Sequence, residues 1–249
     1  MTLPLYDALA PIYDAWQAAD DTTPFALLVH DKLERELARA ARAPVRSFLD
    51  LGCGTGTLPL ALARAHSDWR LAGLDASASM LAHAARRPGA ERVTWLQASL
   101  AHPLPLRFPF DAAGAFYDTL NHLPDAGALR STIAAVAGAL RPGGLFAFDL
   151  TNELGFERWW RGRNQWRGDG WNLTVATRYD SAARTGSADV TLEREGVVSR
   201  FRLLERCFTE AEVRRALTAA GLLVDNAEPW SPFAIDAPGK TWWIVVKST

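Results

Sequence analysis

Residues 48–63 read FLDLGCGTGTLPLALA, an apolar run that feeds a turn with glycine at 52, 54 and 56 and then a helix-compatible segment. Glycine has no Cβ, so a cluster of three marks a sharp reversal or a place where the backbone approaches another group closely. A strand that breaks at such a turn and continues as a helix is one half of a βαβ unit. It commits the chain to a parallel sheet with helices laid across its faces.

The remaining pattern repeats that unit. Apolar β-forming runs at about 46–51, 69–74, 93–97, 112–117 and 145–150 alternate with helical segments. Thr23-Pro24 has the form of an N-cap followed by proline in the first turn. Phe25, Leu28, Val29, Leu33 and Leu37 then recur at helical spacing up to Pro44. A helix from about Leu58 ends before His66-Ser67-Asp68, and Ser77 is placed to cap the next one. Ala126–Leu140 reads as a helix closed by Arg141-Pro142-Gly143-Gly144 ahead of LFAFDL at 145–150. Parallel sheets bind ligands beyond the carboxyl ends of their strands, and the glycine turn sits at the end of the first.

From 156 to 206 the rhythm changes. ERWWRGRNQW, WNLTVATRYD, GSADVTLERE and VSRFRLLERC alternate β-formers with charges, as antiparallel strands do. A helix then starts at Thr209 with Glu212 three residues on, a capping-box pattern, and ends at Gly221. Two closing strands follow at about 222–228 and 241–247. The expected organisation is a helical cap over 1–43, a core over 44–155 and 207–249, and an antiparallel β insertion over 156–206 that covers the substrate side.

Composition narrows the function classes. Twenty-seven basic residues against 28 acidic ones leave a net charge of −1, without the basic excess that phosphate-gripping proteins carry, so nucleic acid is disfavoured as a partner. No apolar run reaches the roughly 20 residues of a membrane span. The opening MTLPLYDALAPIYDAW carries early acids and no basic leader. Cys53 and Cys207 form no metal or redox spacing, and the expectation is a cytoplasmic protein, monomeric or homodimeric.

Three ligands compete for the glycine turn. A phosphate-binding loop needs GxxxxGK[ST], but Thr57 follows Gly56 and no lysine occurs until 240, so that reading fails. A dinucleotide turn is G-x-G-x-x-G, and here the third position is Thr57, which disfavours NAD. FLDLGCGTG instead resembles motif I of the class I S-adenosylmethionine-dependent methyltransferases, of the small-molecule type. The likeness runs from about residue 6 to 249 and includes an acid, Asp75, after RLAGLD and an RPGG before the fifth strand. It implies a Rossmann-like α/β fold with a seven-stranded, mostly parallel sheet, helices on both faces and the added antiparallel subdomain. It also implies S-adenosyl-L-methionine as cofactor, held by Asp50, Gly52, Cys53, Gly54 and Gly56 in the turn. Asp75 would take the ribose hydroxyls, with Ala76, Met80, Ala98, Ser99 and Leu100 around the adenine and Phe116 beside the sulfur. Members of this family often have an acid where VTWLQASL places Ser99; an uncharged hydroxyl there accepts a weaker hydrogen bond.

The acceptor side is read from two further stretches. YDALAPIYDAW resembles the leading helix of small-molecule members, which gives Tyr13, and more weakly Tyr6, a part in closing the pocket; packing is the competing role. FYDTLNHL at 116–123 is similar to the segment after strand four in natural-product and amino-acid N-methyltransferases. That places Tyr117 near the transferred methyl, with Asp118, Asn121 and His122 facing the acceptor and His122 ahead of Asp118 as a general base. In the insertion, Arg-rich strands with Trp159, Trp160, Trp166 and Trp171 read either as an aromatic pocket with Arg forks or as a sheet with an apolar inner and charged outer face. The second reading is preferred. No metal-ligand cluster stands out. Methylation of an amine or hydroxyl of a small molecule leads, ahead of a silent cofactor-binding domain and of tRNA or protein methylation.

Overall fold

The computed structural model describes residues 6–19, 25–100, 104, 109–231 and 238–249. Two sheets organise them. The larger contains β1 (Ser47–Leu51), β2 (Arg70–Asp75), β3 (Val93–Gln97), β4 (Phe110–Ala115), β5 (Leu140–Thr151), β10 (Leu222–Trp230) and β11 (Lys240–Lys247), in the order β10-β11-β5-β4-β1-β2-β3. Strands β1 to β5 run parallel, β11 runs against them beside β5, and the edge strand β10 pairs antiparallel with β11 and so runs in the direction of the rest. The switch in strand order falls beside β1, which pairs with β2 on one side and β4 on the other. That opens a crevice at the carboxyl end of β1.

Helices α2 (Phe25–Ala40), α3 (Thr57–Ala65), α4 (Ala78–Ala84), α5 (Ala126–Ala139) and α7 (Glu210–Ala219) clothe this sheet. Two apolar layers result: one gathers Leu49, Phe146, Phe148, Ile133, Leu217 and Trp243, the other Val29, Leu33, Phe48, Leu62 and Trp242. A parallel sheet covered on both faces buries its strands throughout, as the uninterrupted burial of β1 shows. The expected caps form: Ser77 accepts from the Met80 amide at 3.1 Å, and Thr209 and Glu212 make a full capping box. Thr23 and Pro24 lie outside the described residues.

The second sheet has the order β6-β7-β8-β9, from β6 (Arg161–Gly168), β7 (Trp171–Asp180), β8 (Thr185–Arg194) and β9 (Val197–Arg206). It is antiparallel throughout, and burial alternates most clearly along β8. Leu173, Val190, Leu192 and Leu203 lie inward, while Arg163, Arg178, Asp189, Arg200 and Arg202 face solvent. The preferred reading of this segment therefore holds for most of its arginines, which form a solvated outer face, while Arg184 and Arg206 turn to Glu212 of α7. Its inner face packs on Leu9 and Ile12 of the segment that leads into α1 (Tyr13–Gln17). The N-terminal segment is thus held between the inserted sheet and the core.

Three expectations need correction. ERWW is not strand: Glu153–Trp159 forms helix α6, capped by Asn152 accepting from the Gly155 amide at 3.1 Å, before β6 begins. The RPGG stretch does not stand outside the fifth strand, because β5 starts at Leu140 and absorbs it, with Gly143 at φ 71°. Strand β4 stops at Ala115, two residues early, because Tyr117 and Asp118 turn into the left-handed region.

Candidate functional site

The turn after β1 is built on glycine conformations. Gly52, Gly54 and Gly56 all have positive φ, at 70°, 54° and 80°, a region costly for residues with a Cβ. Their open sides differ. A Cβ on Gly52 would lie 2.5 Å from the Thr119 hydroxyl and one on Gly56 2.5 Å from the Trp95 ring, whereas one on Gly54 would meet nothing within 4 Å. Gly54 therefore faces open space, and Gly56 serves as the N-cap of α3 packed against Trp95.

That space is a cleft with two lobes, of about 200 and about 370 Å³, which share Tyr13, Gly52, Gly54, Phe116 and Tyr117. The smaller lobe is lined further by Asp50, Cys53, Thr55, Arg87 and Gln17. The larger runs from Asp75, Ala76, Met80, Ser99 and Leu100 to Tyr6 and His122. Most residues expected to touch a cofactor thus meet on one cleft. Gly56 and Ala98 do not line it; the Ala98 amide instead donates to the Asp75 carbonyl at 3.0 Å, which fixes the end of β2 against β3.

Asp75 sits at the carboxyl end of β2 and accepts from the Gly54 and Ser77 amides at 2.9 and 2.8 Å. Burial raises its pKa, and those amide bonds pull the other way. A carboxylate has lone pairs for more than two donors, so Asp75 retains acceptor capacity toward the larger lobe. Asp50, deeper under the turn, has its pKa raised well above the usual range by burial and then by the Asp75 charge.

Two N-terminal acids tie the segment above the cleft to its floor. Asp14 accepts from the Thr55 hydroxyl at 2.5 Å and lies 3.3 Å from the Arg87 guanidinium, which also donates to the Thr55 carbonyl at 3.0 Å. Asp7 accepts from Ser77 and from the Ser79 amide at the start of α4. The sequence shows the Tyr-Asp pairs but not what the acids hold, since Thr55 and Ser77 lie 41 and 70 residues away from them. Tyr13 packs edge-on against Tyr6 and Trp16, and the Tyr117 hydroxyl donates to Gln17 at 2.9 Å.

The segment after β4 divides by function in a way the sequence did not show. Tyr117 and Asp118 have φ of 58° and 63°, consecutive left-handed residues with side chains, a strain that the surroundings must hold in place. The hold on Asp118 is an ion pair to Lys240 at 2.5 Å together with a hydrogen bond from Thr151; Lys240 also lies 3.1 Å from Asp149. Lys240 and Asp149 are 1% and 0% exposed. Burial alone would raise the Asp118 carboxyl, but the Lys240 charge and hydrogen bond outweigh it and hold it below the usual range, while burial pushes Asp149 up to about 6. Asp118 does not line the cleft, so its expected place opposite an acceptor is corrected: its carboxylate is committed to Lys240. Asn121 is corrected likewise. It is fully buried, donates to the Thr151 and Arg206 carbonyls at 3.2 and 2.8 Å, and staples the inserted sheet to β5.

His122 does reach the cleft. Its Nε2 lies 3.0 Å from the Tyr6 hydroxyl and 3.6 Å from Glu205 of β9, and Tyr6 stands edge-on to the ring at 5.4 Å. Burial lowers the His122 pKa, against the raising effect of Asp118 and of a hydrogen bond to the Leu204 backbone. Among the described residues no cluster of ligands suits a metal ion, and no helix is long and apolar enough to cross a membrane.

Residues 48–144 match the family model of the methyltransferase domain, and those residues carry the glycine turn, Asp75 and the whole post-β4 turn. Residues 48–144 form a methyltransferase domain. Over 212 residues it is 28% identical to a dTDP-3-amino-3,4,6-trideoxy-alpha-D-glucopyranose N,N-dimethyltransferase of Streptomyces venezuelae, covering 78% of this chain and 82% of that one. Over 150 residues it is 33% identical to a trans-aconitate 2-methyltransferase of Pseudomonas paraeruginosa, covering 58% of this chain and 45% of that one. The chain spans about half the length of several curated relatives it matches. The fold of the methyltransferase domain and its inserted sheet is shared with an S-adenosylmethionine-dependent methyltransferase from Clostridium acetobutylicum, at a TM-score of 0.79 and 19% identity over 99% of this chain and 100% of that one. The cleft fits an adenosine-bearing sulfonium: it offers an open glycine backbone at Gly54 and a strand-end carboxylate at Asp75.

Proposed function

We propose that this methyltransferase domain moves a methyl group from S-adenosyl-L-methionine to an amine of a small polar molecule, of the amino-sugar kind named in its Streptomyces relative. Asp75 would accept the ribose hydroxyls, Ala76, Met80, Ser99 and Leu100 would flank the adenine, and Gly52 and Gly54 would bring backbone against the ribose and methionine part. Phe116 and Tyr117 would then border the sulfur, with Tyr13 closing the pocket from above. The cofactor supplies an activated methyl on sulfonium. The chain's own residues have to align the acceptor for in-line displacement and exclude water. The two cysteines, both buried and free, fit a reducing, cytoplasmic setting.

One observation favours an amine over a carboxylate acceptor such as the aconitate of the Pseudomonas relative's name. The lobe that ends at His122 has no Arg or Lys among its described lining residues, and its far end holds Tyr6, His122 and, behind them, Glu205. A carboxylate needs cationic forks, and an amine needs a place for its proton. The test is methyl transfer from labelled S-adenosylmethionine to a panel of amino-sugar nucleotides, matched hydroxyl sugars and tricarboxylates. Transfer to the amines alone is expected. Transfer to a carboxylate or hydroxyl, with amines inert, overturns the reading.

A further inference from the structure

Glu205 is an anomaly of the inserted sheet. It lies on the inner face of β9, opposite Gly186 and in line with Leu203 and Ala188, positions that otherwise bury apolar side chains. It is 7% exposed, and its Oε2 has no hydrogen-bond partner among the described residues. Burying a carboxyl there without full pairing costs stability unless the group does something else. His122 Nε2 lies 3.6 Å from its Oε1, the same nitrogen that the Tyr6 hydroxyl meets at 3.0 Å. Three segments distant in the chain thus converge on one imidazole: the N-terminal segment with Tyr6, the post-β4 turn with His122, and the inserted sheet with Glu205. Only Tyr6 and His122 line the cleft, so Glu205 can act only through His122.

We infer that Glu205 is a positioning residue for proton removal from the acceptor amine, holding and charge-stabilising the His122 imidazolium that forms when His122 takes the proton. The inference rests on the amine reading above. In the transfer, the amine lone pair forms the N–C bond as the C–S bond breaks. The bonding electrons stay on sulfur, which becomes a neutral thioether, and nitrogen becomes a methylated ammonium. That ammonium gives one N–H proton to His122 Nε2, directly or by way of the Tyr6 hydroxyl, which passes on its own proton as it receives one. The neutral methylated amine leaves, and the proton returns to solvent through the cleft.

The groups around the pair set its proton affinity. Tyr6 faces it from the N-terminal segment, Asp118 from the post-β4 turn, Lys240 from β11 and Asp149 from β5. Burial and then the Asp118 charge raise Glu205 well above the ordinary carboxylate range, and burial lowers His122. Each group alone therefore resists charge, and a proton taken by His122 gains a carboxylate partner at 3.6 Å. Only the neutral imidazole can take a proton, so activity rises with pH through the His122 titration.

The test compares wild type, Glu205→Gln and Glu205→Asp in two readouts. In kcat against pH, the Gln variant is expected to lose roughly tenfold at the plateau, less than the ~10²–10⁴-fold of a general base itself because Glu205 acts through His122. Its acid limb should move to lower pH, because the carboxylate that favours the imidazolium is gone, and Glu205→Asp should recover part of the rate. Affinity for S-adenosylhomocysteine should be unchanged, which separates the effect from misfolding. The second readout is the His122 imidazole titration by NMR with labelled histidine, assigned with His122→Gln; it should shift to lower pH in Glu205→Gln. An unshifted His122 titration, or a Gln variant with wild-type kcat and pH profile, overturns the inference. A wild-type protein that methylates no amine overturns the amine reading and the proton-removal role with it; that failure is recognisable because the titration shift would persist.

Discussion

The Thr55 hydroxyl donates to the Asp14 carboxylate at 2.5 Å, and through this bond the N-terminal helix is fastened to the glycine turn itself. Arg87 closes the same junction from α4's far side, contacting Asp14, the Thr55 carbonyl and the Thr57 hydroxyl. The roof of the cleft and its floor are thus one hydrogen-bonded unit. Removing the acid should loosen cofactor retention more than it loosens the fold. Asp14→Ala is predicted to weaken S-adenosylmethionine binding by about tenfold in calorimetry, in line with the roughly 1.5–3 kcal/mol of a hydrogen bond to a charged group, and to lower Tm by only a few degrees.

The glycine turn offers an internal contrast. Gly52→Ala places a Cβ 2.5 Å from Thr119 at a positive φ, whereas Gly54→Ala pays only the left-handed cost, about 1–2 kcal/mol, and points its Cβ into the open cleft. Gly54→Ala is predicted to fold, with a modest loss in Tm, yet to lose S-adenosylmethionine affinity by more than about tenfold. Gly52→Ala should lose both. Calorimetry beside thermal melting reads the two apart.

Lys240 is the counter-charge that makes two buried carboxylates tolerable. Lys240→Met leaves Asp118 and Asp149 without it and should destabilise by about 3–5 kcal/mol in urea denaturation at pH 7. Its pH dependence follows from the sign of the shifts. In the wild type the Asp118 carboxyl is held low, so its contribution is present above the unfolded value near 4 and is lost as pH falls further. Asp149, raised to about 6, contributes in the opposite sense and loses stability as pH rises through that value. In the variant both carboxyls are raised. Its urea midpoint should therefore fall from pH 5 to pH 8 more steeply than that of the wild type.

Much of this was legible from local chemistry. The apolar run before Gly52 and the capping residues Ser77, Thr209 and Glu212 act within a few positions of themselves, so their sequence pattern is their structure. The alternation of the inserted strands likewise declared an apolar and a charged face. What the sequence hid depends on distant partners. Asp118 and Asn121 have the residue types of an acceptor site, but Lys240 and the carbonyls of Thr151 and Arg206 claim them. Glu205 looked like one more charge on an alternating strand, and its inward register is set only by the sheet's packing on Leu9 and Ile12. The left-handed turn at Tyr117 and Asp118 carried no glycine to announce it.

Asp75 gives the cofactor site a pH signature. Burial raises its pKa, and in the proposed role the ionised carboxylate is the form that accepts from both ribose hydroxyls. Affinity for S-adenosylhomocysteine should therefore hold at neutral pH and fall as pH drops through that raised value. Asp75→Asn should bind weakly and lose this dependence. Titrations from pH 4.5 to 8 check both.

The central claim is that the cleft joins a sulfonium cofactor at Asp75 to an amine at His122. Its most direct measurement is a product analysis after incubation with S-adenosylmethionine and an amino-sugar nucleotide, following S-adenosylhomocysteine and the site of the new methyl together. The account predicts equal amounts of S-adenosylhomocysteine and N-methylated sugar, both absent in Asp75→Ala. Cofactor binding without turnover on any amine, or a methyl found on oxygen alone, would contradict it.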